Sequence, residues 1–320
     1  LLAGPGSGLA FILVDAGFDV WLANSRGSTQ SRGYAWLDSE SAVYWSFSWD
    51  QMAQYDLPAT IDAVLSVTGA ARLAFVSHSQ GGTLLLAALA TQPKLADVLG
   101  LAILMAPVAI ARHAGSLPLH TLATIGTDAV FTLLGVHEFL PAQPTVAWLE
   151  GQLCTIRPEL CVSLLAAICG YRRGAVNATK LPLFLAYTPA GSSVQNLAHW
   201  AQAVRGSLGH PVMSWFDWGP ATNVLKYGNT EAPAYSLHAI PRSSRMVFFT
   251  GGQDRLADPL DIELLLETLP EGVVQEHIHD PELEHLDFTW GDDAPTRIYP
   301  RILALLQQDA VGDPTRAGRT

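Results

Sequence analysis

Three residues in this chain have the types and the order needed for nucleophilic attack on a carbonyl. Ser79 lies in Phe75-Val-Ser-His-Ser-Gln-Gly-Gly-Thr, where an apolar strand turns at small residues straight into an apolar helix. Such a turn lifts a hydroxyl above the sheet edge and aims the first backbone N–H groups of the helix at whatever the serine attacks. A serine hydroxyl is a poor nucleophile at its ordinary pKa. It needs a base, and the base needs an acid to hold it. Asp254 follows Gly251-Gly252 at the end of an apolar run, and His285 lies in Glu282-Leu-Glu-His-Leu-Asp-Phe. Serine, acid and base therefore come in the order in which a nucleophilic elbow receives its partners from later loops.

The serine pattern alone is weak. Ser77-x-Ser79-x-Gly81 has serine where glycine is usual, and a match this relaxed arises by chance on the order of once in a chain of this length. Ala23-x-Ser25-x-Gly27 fits equally well and follows the apolar run Phe18-Asp-Val-Trp-Leu-Ala. What separates them is the sequel. After Ser25 comes Arg-Gly-Ser-Thr-Gln-Ser-Arg-Gly, a loop composition, whereas Thr83 to Gln92 is a strong helix former without proline. The plain alternative for Ser79 is a turn serine serving its own loop.

Asp258, Asp261 and Asp287 are competing acids, one turn late or beside the base. His277 and His279 alternate on a strand near Asp280 and raise a metal reading, but no third ligand lies at useful spacing. His78 reads as support for the turn, because the base must come from a separate loop.

The elements that position these residues alternate. Strands are predicted over Phe18–Asn24, Leu73–Val76, Leu99–Met105, the run from Ser244 to Gly251, and Val273–Ile278. Helices are predicted over Asp50–Thr68, with Pro58 as an internal irregularity, and over Gln80–Thr91, Pro259–Thr268 and Ala294–Leu306. This is an α/β pattern with a doubly wound, mostly parallel sheet. Between Pro107 and Pro241 the alternation stops over a stretch too long for a loop. Its leucine-rich content suits a helical cap facing a greasy substrate. The core is read as residues 1–109 and 242–320, the cap as 110–241, and the tail after Gln308 as disordered.

Composition agrees with a large core: of 320 residues, 49% are apolar and 15% charged. A net charge of −11 disfavours nucleic acid and anionic membrane surfaces as partners. The longest apolar run, Val98 to Ala111, is too short to span a bilayer and contains Gly100 and Pro107. The chain opens at Leu1 without Met and without a visible signal peptide, and is read as a processed or truncated product.

At these residues the chain strongly resembles the acid lipases, the family of lysosomal acid lipase, gastric lipase and their plant and fungal relatives. Phe18-Asp-Val-Trp-Leu-Ala-Asn-Ser-Arg-Gly, Tyr55-Asp-Leu-Pro-Ala, His78-Ser-Gln-Gly and Pro189-Ala-Gly-Ser-Ser-Val-Gln-Asn all look like family signatures. So do Phe216-Asp-Trp-Gly, Gly251-Gly-Gln-Asp-Arg-Leu-Ala-Asp and Glu284-His-Leu-Asp-Phe-Thr-Trp-Gly. They run in order from about Leu9 to Leu306.

The resemblance implies an α/β-hydrolase fold with Ser79 as nucleophile, Asp254 as acid, His285 as base and the Gln80 N–H as an oxyanion donor. It implies a lid over an acyl-binding trench and hydrolysis of triacylglycerols and sterol esters at a lipid–water interface, without a cofactor. It implies a secreted, lysosomal or vacuolar location, a Cys154–Cys161 disulfide with Cys169 unpaired, and a glycan on Asn177 in Asn177-Ala-Thr, the only sequon. Three free thiols are the other state open to the cysteines, whose first spacing is two residues shorter than in the animal enzymes.

Two departures stand out. Family members carry an earlier strand and a His-Gly-Leu loop that completes the oxyanion hole, and this chain opens past that point, at Leu1-Leu-Ala-Gly-Pro. One missing donor of this kind costs roughly 2.7–4 kcal/mol in the transition state. Ser77 also replaces the first motif glycine. Two other functions compete with a lipase: a catalytically silent relative that binds lipid, and a hydrolase of another bond, such as a peptidase or thioesterase.

Overall fold

Apolar runs on parallel strands set the architecture of the computed structural model, which describes residues 3–33, 36–116, 121, 136–139, 169–172, 174–177, 179–206 and 213–312. Helix α1 (Leu9–Asp15) and helix α2 (Leu57–Thr68) precede strand β1 (Leu73–His78). Helix α3 (Gln80–Thr91) leads to strand β2 (Leu99–Met105), and two short strands follow, β3 (Glu138–Phe139) and β4 (Ser192–Ser193). Helix α4 (Val194–Gly206), strand β5 (Arg245–Gly251), helix α5 (Pro259–Thr268), strand β6 (Val274–Asp280) and helix α6 (Tyr299–Gly312) complete the frame. The main sheet is parallel throughout, in the order β1-β2-β5-β6.

Side chains on a strand alternate between faces, and two cores result. Leu104, Met246 and Phe248 pack with Leu85, Leu86 and Leu265 on the face covered by α3 and α5. Leu101, Ile103, Val247 and Phe249 pack with Leu13, Ile298, Tyr299 and Ile302 on the face covered by α1 and α6. Helices on both faces explain why these strands read as continuous apolar runs. Among the described residues no helix is long and apolar enough to cross a membrane.

The predicted bounds of α3, β2 and α5 match the observed ones. Three expectations need correction. Residues 18–24 form no strand, because they have no ladder partner. A cavity of about 830 Å³ separates them from β1 and is lined by Phe18, Val20, Leu22, Leu73, Phe75 and Val76. The helix predicted over Asp50–Thr68 contains a π-helical turn, Met52–Asp56, just before Pro58. Proline has no N–H for the carbonyl four residues earlier, and that carbonyl, on Gln54, instead accepts from Gln92 Nε2 at 3.1 Å. The C-terminal helix breaks at Ile298, before Pro300, and then runs to Gly312 rather than ending near Leu306. Asp309 anchors its last turn by accepting from the Leu101 N–H at 3.1 Å and from Arg245.

Candidate active site

The turn at Ser79 is tight, and the glycines that follow it leave room for it. Ser79 has φ 57° and ψ −122°, a left-handed backbone that a non-glycine residue rarely adopts. Strain of this kind persists only where the surroundings enforce it. Here the Ser79 N–H is held by the Met105 carbonyl at 3.0 Å, and the Gly82 N–H closes on the Ser79 carbonyl at 2.9 Å. A β-carbon on Gly82 would lie 2.5 Å from Pro107 Cβ, and one on Gly81 would lie 2.9 Å from Ser77 Cβ. Serine at position 77 is thus accommodated by the missing side chain at Gly81. Gln80 is the first residue of α3, so its N–H has no acceptor within the helix.

Asp254 and His285 arrive on two loops stitched together. The Gly252 N–H bonds the Asp280 carbonyl at 2.8 Å, and the Gln253 N–H bonds the Leu283 carbonyl at 3.0 Å. A β-carbon on Gly251 would meet the Leu283 carbonyl oxygen at 2.2 Å, which is why glycines are needed there. Asp254 and His285 are both buried. Asp254 Oδ1 accepts from the Leu256 and Ala257 N–H groups, each at 2.8 Å. His285 Nδ1 lies 2.9 Å from Asp254 Oδ2, and His285 Nε2 lies 2.8 Å from Ser79 Oγ. An ionised carboxylate only accepts, so the proton sits on Nδ1 and the Nε2 lone pair faces the serine hydroxyl.

The neighbouring groups fix this line. His78 Nε2 donates to the His285 backbone carbonyl at 2.9 Å. Burial, and then the nearby His285, push the His78 pKa down to about 3, so it stays neutral. Two residues beyond His285, buried Asp287 accepts from the Glu284 N–H at 2.9 Å and from Arg172 Nε at 3.0 Å. The loop bearing His285 is thereby tied to the segment around Gly170, whose carbonyl also accepts from the Leu286 N–H at 3.1 Å. Half-buried Cys169 lies beside it, its thiol pushed up to about 11 by burial and then by the charge of Asp254.

The competing residues have other partners. Asp258 caps α5 through the Leu260 N–H at 2.9 Å, and Asp261 holds His113 Nδ1 at 2.8 Å. His277 and His279 both face the Thr250 hydroxyl. Ser25 precedes a turn in which Arg26 pairs with Asp56 at 2.6 Å. Ser77, His78 and Gly81 are among the residues lining the large cavity beside β1, whereas Ser79, Asp254 and His285 do not line it. Asn177 is exposed, with its Oδ1 accepting from the Thr179 hydroxyl at 2.7 Å. Cys154 and Cys161 lie outside the described residues. Sequence reasoning missed Arg172, Asn196 and Trp200; only the last two carry a signal, their separation of four residues on one helix.

A serine at a strand–turn–helix junction of a parallel sheet, with a carboxylate and a histidine brought to it by later loops, is the arrangement of the α/β hydrolase fold, and that family matches residues 6–143. Rv0554 of Mycobacterium tuberculosis shares the fold, at TM-score 0.53 and 14% identity over 96% of this chain and 87% of that one. Lysosomal acid lipase/cholesteryl ester hydrolase of Rattus norvegicus is 39% identical over 303 residues, covering 94% of this chain and 74% of that protein. Gastric triacylglycerol lipase of Homo sapiens is 38% identical over 308 residues, covering 95% and 75%. The chain belongs to the acid lipase family.

Proposed function

We propose that this chain is a carboxylic ester hydrolase of neutral lipids, with Ser79 as nucleophile, His285 as base and Asp254 as its orienting acid. The observation that carries this reading is the 2.8 Å approach of His285 Nε2 to Ser79 Oγ while Nδ1 rests on a buried carboxylate.

As Oγ attacks the ester carbonyl, its proton passes to Nε2 and Asp254 steadies the imidazolium. The carbonyl oxygen becomes an oxyanion, and the Gln80 N–H is the donor it meets at the head of α3. Collapse expels the alcohol, which takes the proton from His285 and leaves an acyl group on Ser79. Water then attacks the acyl carbon, giving its proton to His285. Ser79 leaves with that proton and the carboxylic acid is released. Every step uses protein groups and water.

The names of the relatives support triacylglycerols and sterol esters as substrates, met at a lipid–water interface. Residues 110–241 act as the cap over a core of 1–109 and 242–320. The same kinship supports a secreted or lysosomal and vacuolar setting, a Cys154–Cys161 disulfide and a glycan on Asn177, whose exposed turn is open to modification.

Hydrolysis of a long-chain triacylglycerol emulsion, a cholesteryl ester and p-nitrophenyl butyrate tests the reading. Turnover abolished by Ser79→Ala is expected. Turnover that survives Ser79→Ala, or no turnover by the unsubstituted enzyme, overturns it.

A further inference from the structure

The side chain of Gln80 is held from outside its own helix. Its Oε1 accepts from Trp200 Nε1 at 2.8 Å and from Asn196 Nδ2 at 3.1 Å, and its Nε2 lies 3.3 Å from Met52 Sδ. Asn196 and Trp200 are four residues apart on α4, so they share one face and converge on one acceptor. Both donors are themselves fixed. The Asn196 N–H bonds Ser193 Oγ at 2.9 Å, and the Ser193 hydroxyl donates to the Phe47 carbonyl. The Trp200 ring packs 4.4 Å from that of Trp49, which also stacks on His199 at 3.4 Å.

Hydrogen bonds and close packing hold the backbone at Ser79 and Gly82, and the side-chain tether restrains the residue between Ser79 and that glycine pair. The Gln80 amide has no intrahelical acceptor, and its direction depends on the backbone on either side. A side chain tethered at two donors stops the first turn from rocking about Ser79. We propose that Trp200 and Asn196 are positioning residues for ester hydrolysis: through the Gln80 side chain, α4 holds the Gln80 N–H on the developing oxyanion. This rests on the assignment of Ser79 as nucleophile. Because the oxyanion exists only in the transition state, loosening the tether lowers kcat and leaves substrate binding alone.

The test is steady-state kinetics on p-nitrophenyl butyrate with Trp200→Phe, Gln80→Met, their double variant and Ser79→Ala. Phenylalanine keeps a ring against Trp49 and removes only the N–H, while methionine keeps the shape of Gln80 and removes the acceptor. Trp200→Phe is expected to lower kcat on the order of tenfold with KM unchanged, as small misplacements near the reacting centre do. Gln80→Met is expected to lose a similar factor, and Trp200→Phe to lose nothing further on that background. An undiminished kcat in Trp200→Phe and in Gln80→Met, or losses that multiply in the double variant, overturns the tether while leaving Ser79 as nucleophile. Activity retained by Ser79→Ala overturns both.

Discussion

His78 Nε2 donates to the backbone carbonyl of His285 at 2.9 Å, so the residue before Ser79 grips the histidine that Ser79 faces. The two rings lie 4.7 Å apart between centroids. The turn at Ser79 and the loop bearing His285 are therefore tied through the His285 backbone, and the 2.8 Å contact from Nε2 to Ser79 Oγ does not depend on the side chains of the pair alone. Replacing His78 with phenylalanine strands a buried carbonyl. A loss of about 1–3 kcal/mol in stability is expected from urea unfolding, with a fall in kcat. Unchanged unfolding and kcat would show that the bond is idle.

Asp254→Asn tests the orienting acid. The asparagine side chain retains an oxygen for the Leu256 and Ala257 N–H groups, so the loop stays folded. Its amide N–H then faces His285 Nδ1, which turns the lone pair inward and puts the proton on Nε2. Ester hydrolysis is expected to fall by about 10⁴-fold, with thermal unfolding unchanged. Activity within an order of magnitude of the parent enzyme would remove Asp254 from the site.

The glycine pair that follows Gln80 gives a second test. Gly81→Ala puts a β-carbon 2.9 Å from Ser77 Cβ, and overpacking of this kind costs about 1–3 kcal/mol. Ser77→Gly removes the opposing carbon and is expected to restore the stability lost by Gly81→Ala. For Gly82→Ala the obstruction is Pro107 at 2.5 Å, so Ser77→Gly is expected to give no rescue. Denaturation midpoints of the single and double variants check both.

Asp50 gives a pH dependence with a definite sign. It is buried, accepting from Tyr235 Oη at 2.5 Å and from the Phe216 N–H at 2.9 Å, with His199 Nδ1 at 3.9 Å. Burial raises its pKa to about 6, against the hydrogen bonds from Tyr235, Phe216 and Ser48 that lower it. Burial holds His199 at about 3, so it stays neutral in this range, and it raises the Tyr235 phenol. The folded state therefore binds the Asp50 proton more tightly than the unfolded chain does. Its contribution to stability is full below the unfolded value near 4 and is lost as pH rises through about 6. The change in stability on Asp50→Asn, measured by urea unfolding, is expected to be more favourable at pH 7.5 than at pH 4.5. An equal effect at both pH values would contradict this.

Much of this was legible in the sequence because it is local. Apolar runs bounded by glycine and proline marked α3, β2 and α5, and the strand–turn–helix context picked Ser79 over Ser25. Order and position after strand-like runs point to Asp254 and His285, and the structure brings both into hydrogen-bonding line with Ser79. Contacts that depend on tertiary partners were not. Residues 18–24 have a strand composition, but a strand exists only with a ladder beside it, and β1 lies across a cavity. The helical 309–312 segment depends on Asp309 reaching β2, and the Arg172–Asp287 pair joins residues far apart in sequence. No spacing rule announces either.

The central claim is that Ser79 is the activated nucleophile, and covalent capture tests it most directly. Incubation with a p-nitrophenyl alkylphosphonate, followed by peptide mass spectrometry, is predicted to give one adduct, on Ser79, that is lost in Ser79→Ala and strongly slowed in His285→Ala. No adduct, or an adduct on Ser25 with Ser79 unmodified, would contradict it.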